Sequence, residues 1–187
     1  ALSTDLTREK VLKFKNSFAR KDLRIEIVTN PYKLQGFALN KGIQKANNEF
    51  VIRIDAHSVV NKYEKIDHFL EITNRLKSEK YSMVGFKQRF MFKNIIQASL
   101  FSLSFTPFLS KSLYRYTNQE ITTKDTAWLF ALNKKVAETI NYFNPNATPN
   151  EDYDFCQRLI KKTFKPILIY PKLPIYYLPR SSISALS

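Results

Sequence analysis

Between Leu23 and Phe86 the apolar pattern changes period repeatedly, and this alternation restricts the fold more than any other feature of the chain. Leu23 to Val28 (LRIEIV) repeats every second residue, as a strand with one buried face requires, and Asn30-Pro31 stops it. Ala38 to Asn47 then places Ala38, Leu39, Gly42, Ile43 and Ala46 on one face of a short helix. Phe50 to Ile54 is a strand whose apolar run only Arg53 interrupts. Tyr63, Ile66, Phe69, Leu70, Thr73 and Leu76 mark a longer helix, and Tyr81 to Phe86 reads as the next strand. Strands alternating with helices predict an α/β architecture: a mainly parallel sheet flanked by helices, with ligands beyond the carboxyl ends of the strands. Asp55 stands at such an end.

The flanking regions are less regular. Residues 7 to 20 carry Val11, Leu12, Phe14 and Phe18 at helical spacing, with Thr7 as an N-cap. Ala127 to Leu132 (AWLFAL) predicts a strand, Lys134 to Ile140 a short helix and Asn144-Pro145-Asn146 a turn. Asn150 is placed to cap a helix through about Lys162, with Phe155, Leu159 and Ile160 facing inward. Pro166 to Tyr170 and Ile175 to Leu178 are short strands broken by prolines, as edge strands are. The uncharged residues 94 to 110 are too short and too polar for a membrane span and fit a buried or an interfacial helix.

A length of 187 residues fits one domain with a sizeable core. Thirty basic against 16 acidic residues give a net charge of +14, which favours an anionic partner: nucleotide, nucleic acid or acidic membrane surface. Against a nucleic-acid-binding module, the lysines are spread over many elements (Lys10, Lys62, Lys134, Lys161), with neither zinc-finger spacing nor a stacking-sheet signature. The single cysteine, Cys156, excludes an intrachain disulfide, suggests a reducing compartment and reads as a small core residue. His68, inside a helix, reads as structural.

Two acidic motifs carry the chemistry. Asp55-Ala56-His57-Ser58 follows a strand, and Asn150-Glu151-Asp152 opens a helix with Asp152 97 positions after Asp55. Asp55 is a hard oxygen ligand at a strand terminus, and His57 can ligate Mn²⁺ or a water in its outer shell. Asp152 suits a general base, although acidic residues also open helices simply to meet the dipole. Lys33 and Asn40 are candidate contacts to a diphosphate or ribose, or else a solvated loop lysine and a helix-start asparagine. Trp128 is a sugar-stacking platform or a core residue.

The ordered motifs resemble family 2 glycosyltransferases of the GT-A fold. Ser3-Thr4-Asp5-Leu6-Thr7 is similar to the family's Ser-Thr-Asp-Gly-Thr, and Ala38-Leu39-Asn40-Lys41-Gly42-Ile43 to its next helix. Asp55-Ala56-His57-Ser58 resembles the variant Asp-x-Asp motif of the succinoglycan-biosynthesis branch. Lys124-Asp125-Thr126-Ala127-Trp128 resembles that branch's segment before the catalytic helix, and Tyr142-Phe143-Asn144 stands where the family often has Gly-Phe-Asp. Asn150-Glu151-Asp152 and Tyr177-Leu178-Pro179-Arg180-Ser181-Ser182 are similar to the acidic motif and the closing segment.

The resemblance implies inverting transfer of a sugar from a nucleotide-diphosphate donor to a saccharide or lipid-linked acceptor in polysaccharide biosynthesis. Asp152 is the implied base, with Glu151 beside it orienting the loop; Asp55, Lys33 and Asn40 meet the donor. Asp125 and Trp128 fall on the acceptor side, and Asp55 with His57 holds Mg²⁺ or Mn²⁺. Arg180 pairs with phosphate or is a surface arginine. A basic surface fits a cytoplasmic enzyme, including one working at the inner face of an anionic membrane. The family's first strand, helix and second strand would precede Ala1, so residues 1–187 are expected to form a single domain incomplete at its amino terminus, with an open donor pocket. A catalytically inactive fragment is the alternative. Phe105-Thr106-Pro107-Phe108 replaces the branch's glycine-rich acceptor region and leaves the acceptor unidentified.

Overall fold

The computed structural model describes residues 6–18, 24–60, 67–92, 94–95, 97–99, 113–148 and 150–177. In chain order these form α1 (Thr7–Ser17), α2 (Gln35–Lys45), β1 (Phe50–Arg53), β2 (Ser58–Val60), α3 (Asp67–Lys77) and β3 (Met83–Phe90). A 3-10 turn (Leu113–Tyr116), β4 (Ile121–Thr123), β5 (Phe130–Asn133) and α4 (Lys134–Thr139) follow. A second 3-10 turn (Pro145–Ala147), α5 (Glu151–Thr163) and β6 (Ile167–Tyr177) complete the order.

The expected α/β sheet flanked by helices is present, but its strands are mixed in direction. The order is β1-β5-β3-β6-β2, with β4 also on β6. Among the described residues only β3 and β6 pair in parallel; β1 with β5, β3 with β5, and β2 and β4 with β6 are antiparallel. β1 and β3 do run the same way, yet β5 lies reversed between them, so the expectation of a mainly parallel sheet is corrected. The short strands β2 and β4, which no long apolar run announced, add two more reversed pairings.

Alternation along the central strands sorts the core onto two faces. Met83, Phe130, Leu132, Ile167 and Ile169 pack with Ile43, Ala137, Phe143, Phe155 and Leu159. Val84, Phe86, Leu129, Ala131, Leu168 and Tyr170 pack with Ile72 and Leu76 of α3. At about 1.5–3 kcal/mol for each large apolar side chain fully buried, these two clusters hold the sheet and its helices together. Phe143 and Phe155 stack at 3.9 Å between centroids, 9° from parallel, and so pin the start of α5 to the loop before it. Gly85 leaves room at the centre: a Cβ there would lie 2.7 Å from that of Ala127 and 2.9 Å from Ile169 Cδ1.

β6 corrects a second expectation. It is one strand, paired on both sides, where two proline-broken edge strands were expected. The prolines fall in a gap: β4 pairs with Ile167–Ile169 and β2 with Ile175–Tyr177, while the β3 register jumps from Phe86↔Tyr170 to Gln88↔Ile175. Pro171 and Pro174 therefore sit where no ladder needs their missing N–H.

Residues 24–30 lack ladder pairing, although their pattern is that of a strand. A period of two favours extended backbone, but a ladder needs a neighbour. Between this segment and the outer edge of β1 lies a cavity of about 710 Å³, lined by Arg24, Glu26 and Val28 and by Phe50–Ile54. α1 forms as its spacing predicts but starts at Thr7, with Leu6 in the cap position, and none of its residues is buried. Ser3-Thr4-Asp5, Tyr63, Ile66, most of 94–110, and Leu178 to Ser182 with Arg180 lie outside the described residues.

Candidate active site

Arg53 ends β1 with its side chain only 6% exposed. A guanidinium taken out of water needs counter-charge and hydrogen bonds for its donors. Its Nε donates to Asp55 Oδ1 at 3.1 Å, and its Nη1 donates to Asp152 Oδ1. With its amide oriented to satisfy both ends, Gln35 accepts from Arg53 Nη2 at 2.5 Å and donates to Glu151 Oε1 at 3.1 Å. The guanidinium also lies over the Phe130 ring, 5.7 Å from its centroid. One cation therefore ties together the two acidic motifs, at the carboxyl end of β1 and the opening of α5.

Local sequence explains the placement. Asp55-Ala56-His57-Ser58 is a tight turn closed by Ser58 N–H donating to Asp55 O at 2.9 Å, which returns the chain as β2. Asn150 takes the cap position of α5, without a side-chain capping bond, and Glu151, Asp152 and Asp154 crowd the first turn, where the helix dipole favours them. Asn40 forms a two-way clasp with Phe143: its Nδ2 donates to the carbonyl and its Oδ1 accepts from the N–H, each at 2.8 Å. The clasp fixes the approach to α5.

Burial pushes the Asp152 carboxyl above the ordinary aspartate range; Arg53 opposes this, and Glu151 and Asp55 add to it. Burial works against charge on Arg53, but Asp152 and Asp55 outweigh it and hold its pKa above the usual value. Asp152 and Asp55 remain 19% and 20% exposed, so both carboxylates reach solvent from a largely buried base. That combination lets a carboxylate take a proton from a ligand and lets a second meet a divalent cation.

Of the other sequence candidates, Glu151 borders this network through Gln35 and the rest lie around it. Glu151 is buried, and its Oε2 has no hydrogen-bond partner. His57 turns its ring edge-on to Tyr177, 4.4 Å between centroids. Lys33 is exposed at a left-handed backbone position with φ 56°. Asp125 adjoins α5, its carbonyl accepting from Gln157 Nε2 at 2.9 Å. Trp128 lies just before β5 and is 37% exposed, with the Arg115 guanidinium 4.0 Å from its ring centroid. Cys156 is buried as expected, its thiol pushed up chiefly by that burial, and His68 Nδ1 meets Tyr170 Oη at 3.2 Å within a structural network. Among the described residues no group of three or more His, Cys, Asp or Glu is placed to hold a metal ion.

Sequence reasoning missed Arg53 and Gln35. The signal for Arg53 was its interruption of an apolar strand two residues before Asp55, since a charge buried there demands a partner. Gln35 carried none.

Residues 2–140 match the family described as Glycosyl transferase family 2, a stretch that includes Asp55 and ends before Glu151. The chain is 27% identical over 185 residues to a Methanococcus voltae protein, the dolichyl N-acetyl-alpha-D-glucosaminyl phosphate 3-beta-D-2,3-diacetamido-2,3-dideoxy-beta-D-glucuronosyltransferase. That match covers 97% of this chain and 56% of the relative, so the chain spans about half the length of the curated relative it matches. Among solved structures, S. aureus TarS 1-349 superposes with a TM-score of 0.63 at 16% identity, covering 94% of this chain and 48% of that one. GalNAc-T7 with UDP, GalNAc and Mn²⁺ superposes with a TM-score of 0.62 at 12% identity, covering 92% and 35%. With its mixed sheet, flanking helices and acidic motifs at a strand end and a helix start, the chain has the GT-A fold and belongs to glycosyl transferase family 2.

Proposed function

We propose that this domain carries out inverting transfer of a sugar from a nucleotide-diphosphate donor to a saccharide or lipid-linked acceptor. The observation behind the reading is Arg53, which holds a strand-end carboxylate and a helix-start carboxylate in one network. Asp152 takes the proton of the acceptor hydroxyl as its oxygen attacks the anomeric carbon. The bond from that carbon to the donor diphosphate breaks on the opposite face, and the electron pair leaves with the diphosphate. The raised pKa of Asp152 suits it to accept a proton.

Asp55 fits a divalent cation in the manner of sites that take one or two carboxylates and complete the shell with substrate phosphates and water. Asp55 would hold Mg²⁺ or Mn²⁺ there, and the cation would supply positive charge against that growing on the leaving group. His57 is assigned a place in the outer shell of that cation, and Lys33 the diphosphate. Asn40, its amide engaged by the Phe143 backbone, positions the approach to α5 and Asp152. Glu151, through Gln35, orients Arg53, and Asp125 and Trp128 border the acceptor.

A lipid-linked acceptor accords with the dolichyl substrate named for the Methanococcus voltae relative. The net charge of +14 supports work at the cytoplasmic face of an anionic membrane; no helix among the described residues is long and apolar enough to cross one. Among the described residues no strand pairs with the outer edge of Phe50–Arg53, and the reading gives the cavity beside it to a strand that would complete the donor pocket.

The test is calorimetric titration with UDP, GDP and their sugar conjugates, with and without Mn²⁺, on this chain and on a version extended upstream. Mn²⁺-dependent binding that Asp55→Ala weakens at least tenfold is expected. Binding by the extended version alone would assign the missing affinity to the strand. Absence of binding by both would overturn the transferase reading.

A further inference from the structure

Arg115 is a second buried guanidinium, and its surroundings differ from those of Arg53. It lies in the 3-10 turn Leu113–Tyr116 and is 3% exposed. Among the described residues no carboxylate forms an ion pair with it, and its Nε has no hydrogen-bond partner. Two aromatic faces attend it: its Cζ lies 4.0 Å from the Trp128 centroid and 5.4 Å from that of Tyr114. Cation–π contact returns only part of the desolvation free energy of a buried charge. Beside its side-chain contact with Tyr114 the guanidinium keeps donors that suit an oxyanion, and its fork matches phosphate in particular.

The position ties this cation to the reaction site. Tyr114 Oη donates to Thr126 O at 2.7 Å and accepts from Thr126 N–H at 3.1 Å, locking the turn to the segment that ends in Trp128. Thr126 Oγ1 donates to Cys156 Sγ at 3.4 Å. Cys156 lies four residues after Asp152 on α5, about 6 Å along the axis, and its thiol is within electrostatic reach of both Asp152 and Arg115. The turn packs on β3 and β6, whereas Asp55 follows β1, two places from β3 in the sheet order.

We infer that Arg115 and Trp128 form a phosphate-binding subsite on the acceptor side, so that the acceptor is a sugar phosphate. Its hydroxyl meets Asp152, its phosphate meets Arg115, and its ring lies along the exposed part of Trp128. This rests on the proposed transferase reading and narrows its acceptor to a phosphate-bearing sugar.

Trp128 is the one tryptophan of the chain, so its emission reports directly on the neighbouring guanidinium. The chain is titrated with glucose 1-phosphate, with glucose as the uncharged probe, with UDP as the donor-side source of phosphate, and at matched ionic strength in KCl. The expected result is a saturable change with glucose 1-phosphate, none with glucose, and at least a tenfold weakening in Arg115→Gln. Circular dichroism checks that the variant folds. Should it not, Arg115→Lys keeps the charge without the fork and should bind several-fold more weakly, with ³¹P line broadening as the second readout. No response, or one unchanged in the variants, overturns the subsite. A UDP response lost in Arg115→Gln overturns the acceptor-side assignment. Mn²⁺-dependent nucleotide binding through Asp55 is scored separately, so loss of the Arg115 effect alone leaves the transferase reading standing.

Discussion

Replacing Arg53 by Met keeps most of the aliphatic stem and removes the charge together with the donors that reach Asp55, Asp152 and Gln35. Breaking a buried ion pair by deleting one partner destabilises by about 3–5 kcal/mol. Here the two carboxylates are each about one-fifth exposed, so water takes over part of the lost role and the low end applies, about 3 kcal/mol. For a domain of this size 1 kcal/mol moves Tm by about 2–4 °C, so Arg53→Met should melt about 6–12 °C lower. The loss should depend on pH. Burial already raises the Asp152 pKa while Arg53 lowers it, so the variant's Asp152 should titrate higher still. A carboxyl whose folded pKa exceeds its unfolded one favours the folded state below the unfolded pKa; that contribution fades as pH rises through the folded pKa. The gap between parent and variant should therefore be widest near pH 8 and narrow toward about pH 5, as the unpaired carboxylate takes up its proton. Thermal melts followed by circular dichroism at both values test this. A gap under about 2 °C near pH 8, or one equal at the two pH values, would refute the view that Arg53 acts as counter-charge.

Asp152→Asn in an active form of the enzyme should lower kcat by about 10²–10⁴ while leaving the donor KM nearly unchanged, as steady-state kinetics would show. Gly85→Ala forces a Cβ to within 2.7 Å of Ala127 Cβ and should destabilise by about 1–3 kcal/mol, read from the urea midpoint. Phe164 ends α5 in the left-handed region with φ 58° and its side chain 91% exposed. That backbone strain, about 1–2 kcal/mol, exceeds the extra unfolded-state entropy of a glycine, so Phe164→Gly should raise Tm by about 2 °C.

What could be read from the sequence was what depends on period and on local chemistry. The apolar spacing located α2, β1, α3, β3 and α5 to within a few residues, because each buries one face against the same two clusters. The meeting of Asp55 and Asp152 on Arg53 followed from motif order and the family resemblance, one carboxylate lying in the turn after β1 and the other in the first turn of α5. Strand direction was out of reach, because the pattern of β5 is the same whichever way it runs between β1 and β3. The prolines of β6 misled for a related reason: a sequence shows a missing N–H but not the gap between two ladders that tolerates it. Asn40 illustrates the limit at the site, since an amide at that spacing suits a ligand or a backbone clasp equally, and only the position of Phe143 decides.

The two buried arginines give the sharpest test, because the same substitution should have opposite signs at them. Arg53 compensates two carboxylates, and removing it strands them. Arg115 has no such carboxylate among the described residues, so Arg115→Met removes a desolvated charge and keeps the stem packed on Trp128. Replacing an uncompensated buried charge by an apolar side chain of similar length is neutral or stabilising, offset by the loss of about 1–2 kcal/mol of cation–π attraction. In phosphate-free buffer the Tm of Arg115→Met should equal or exceed that of the parent, while Arg53→Met falls well below it. Adding glucose 1-phosphate at about ten times its Kd should stabilise the parent by about 1.4 kcal/mol, or about 3–6 °C, and leave Arg115→Met unmoved. If Arg115→Met instead melts as low as Arg53→Met, Arg115 serves the fold of the empty protein, and its missing partner is not a ligand.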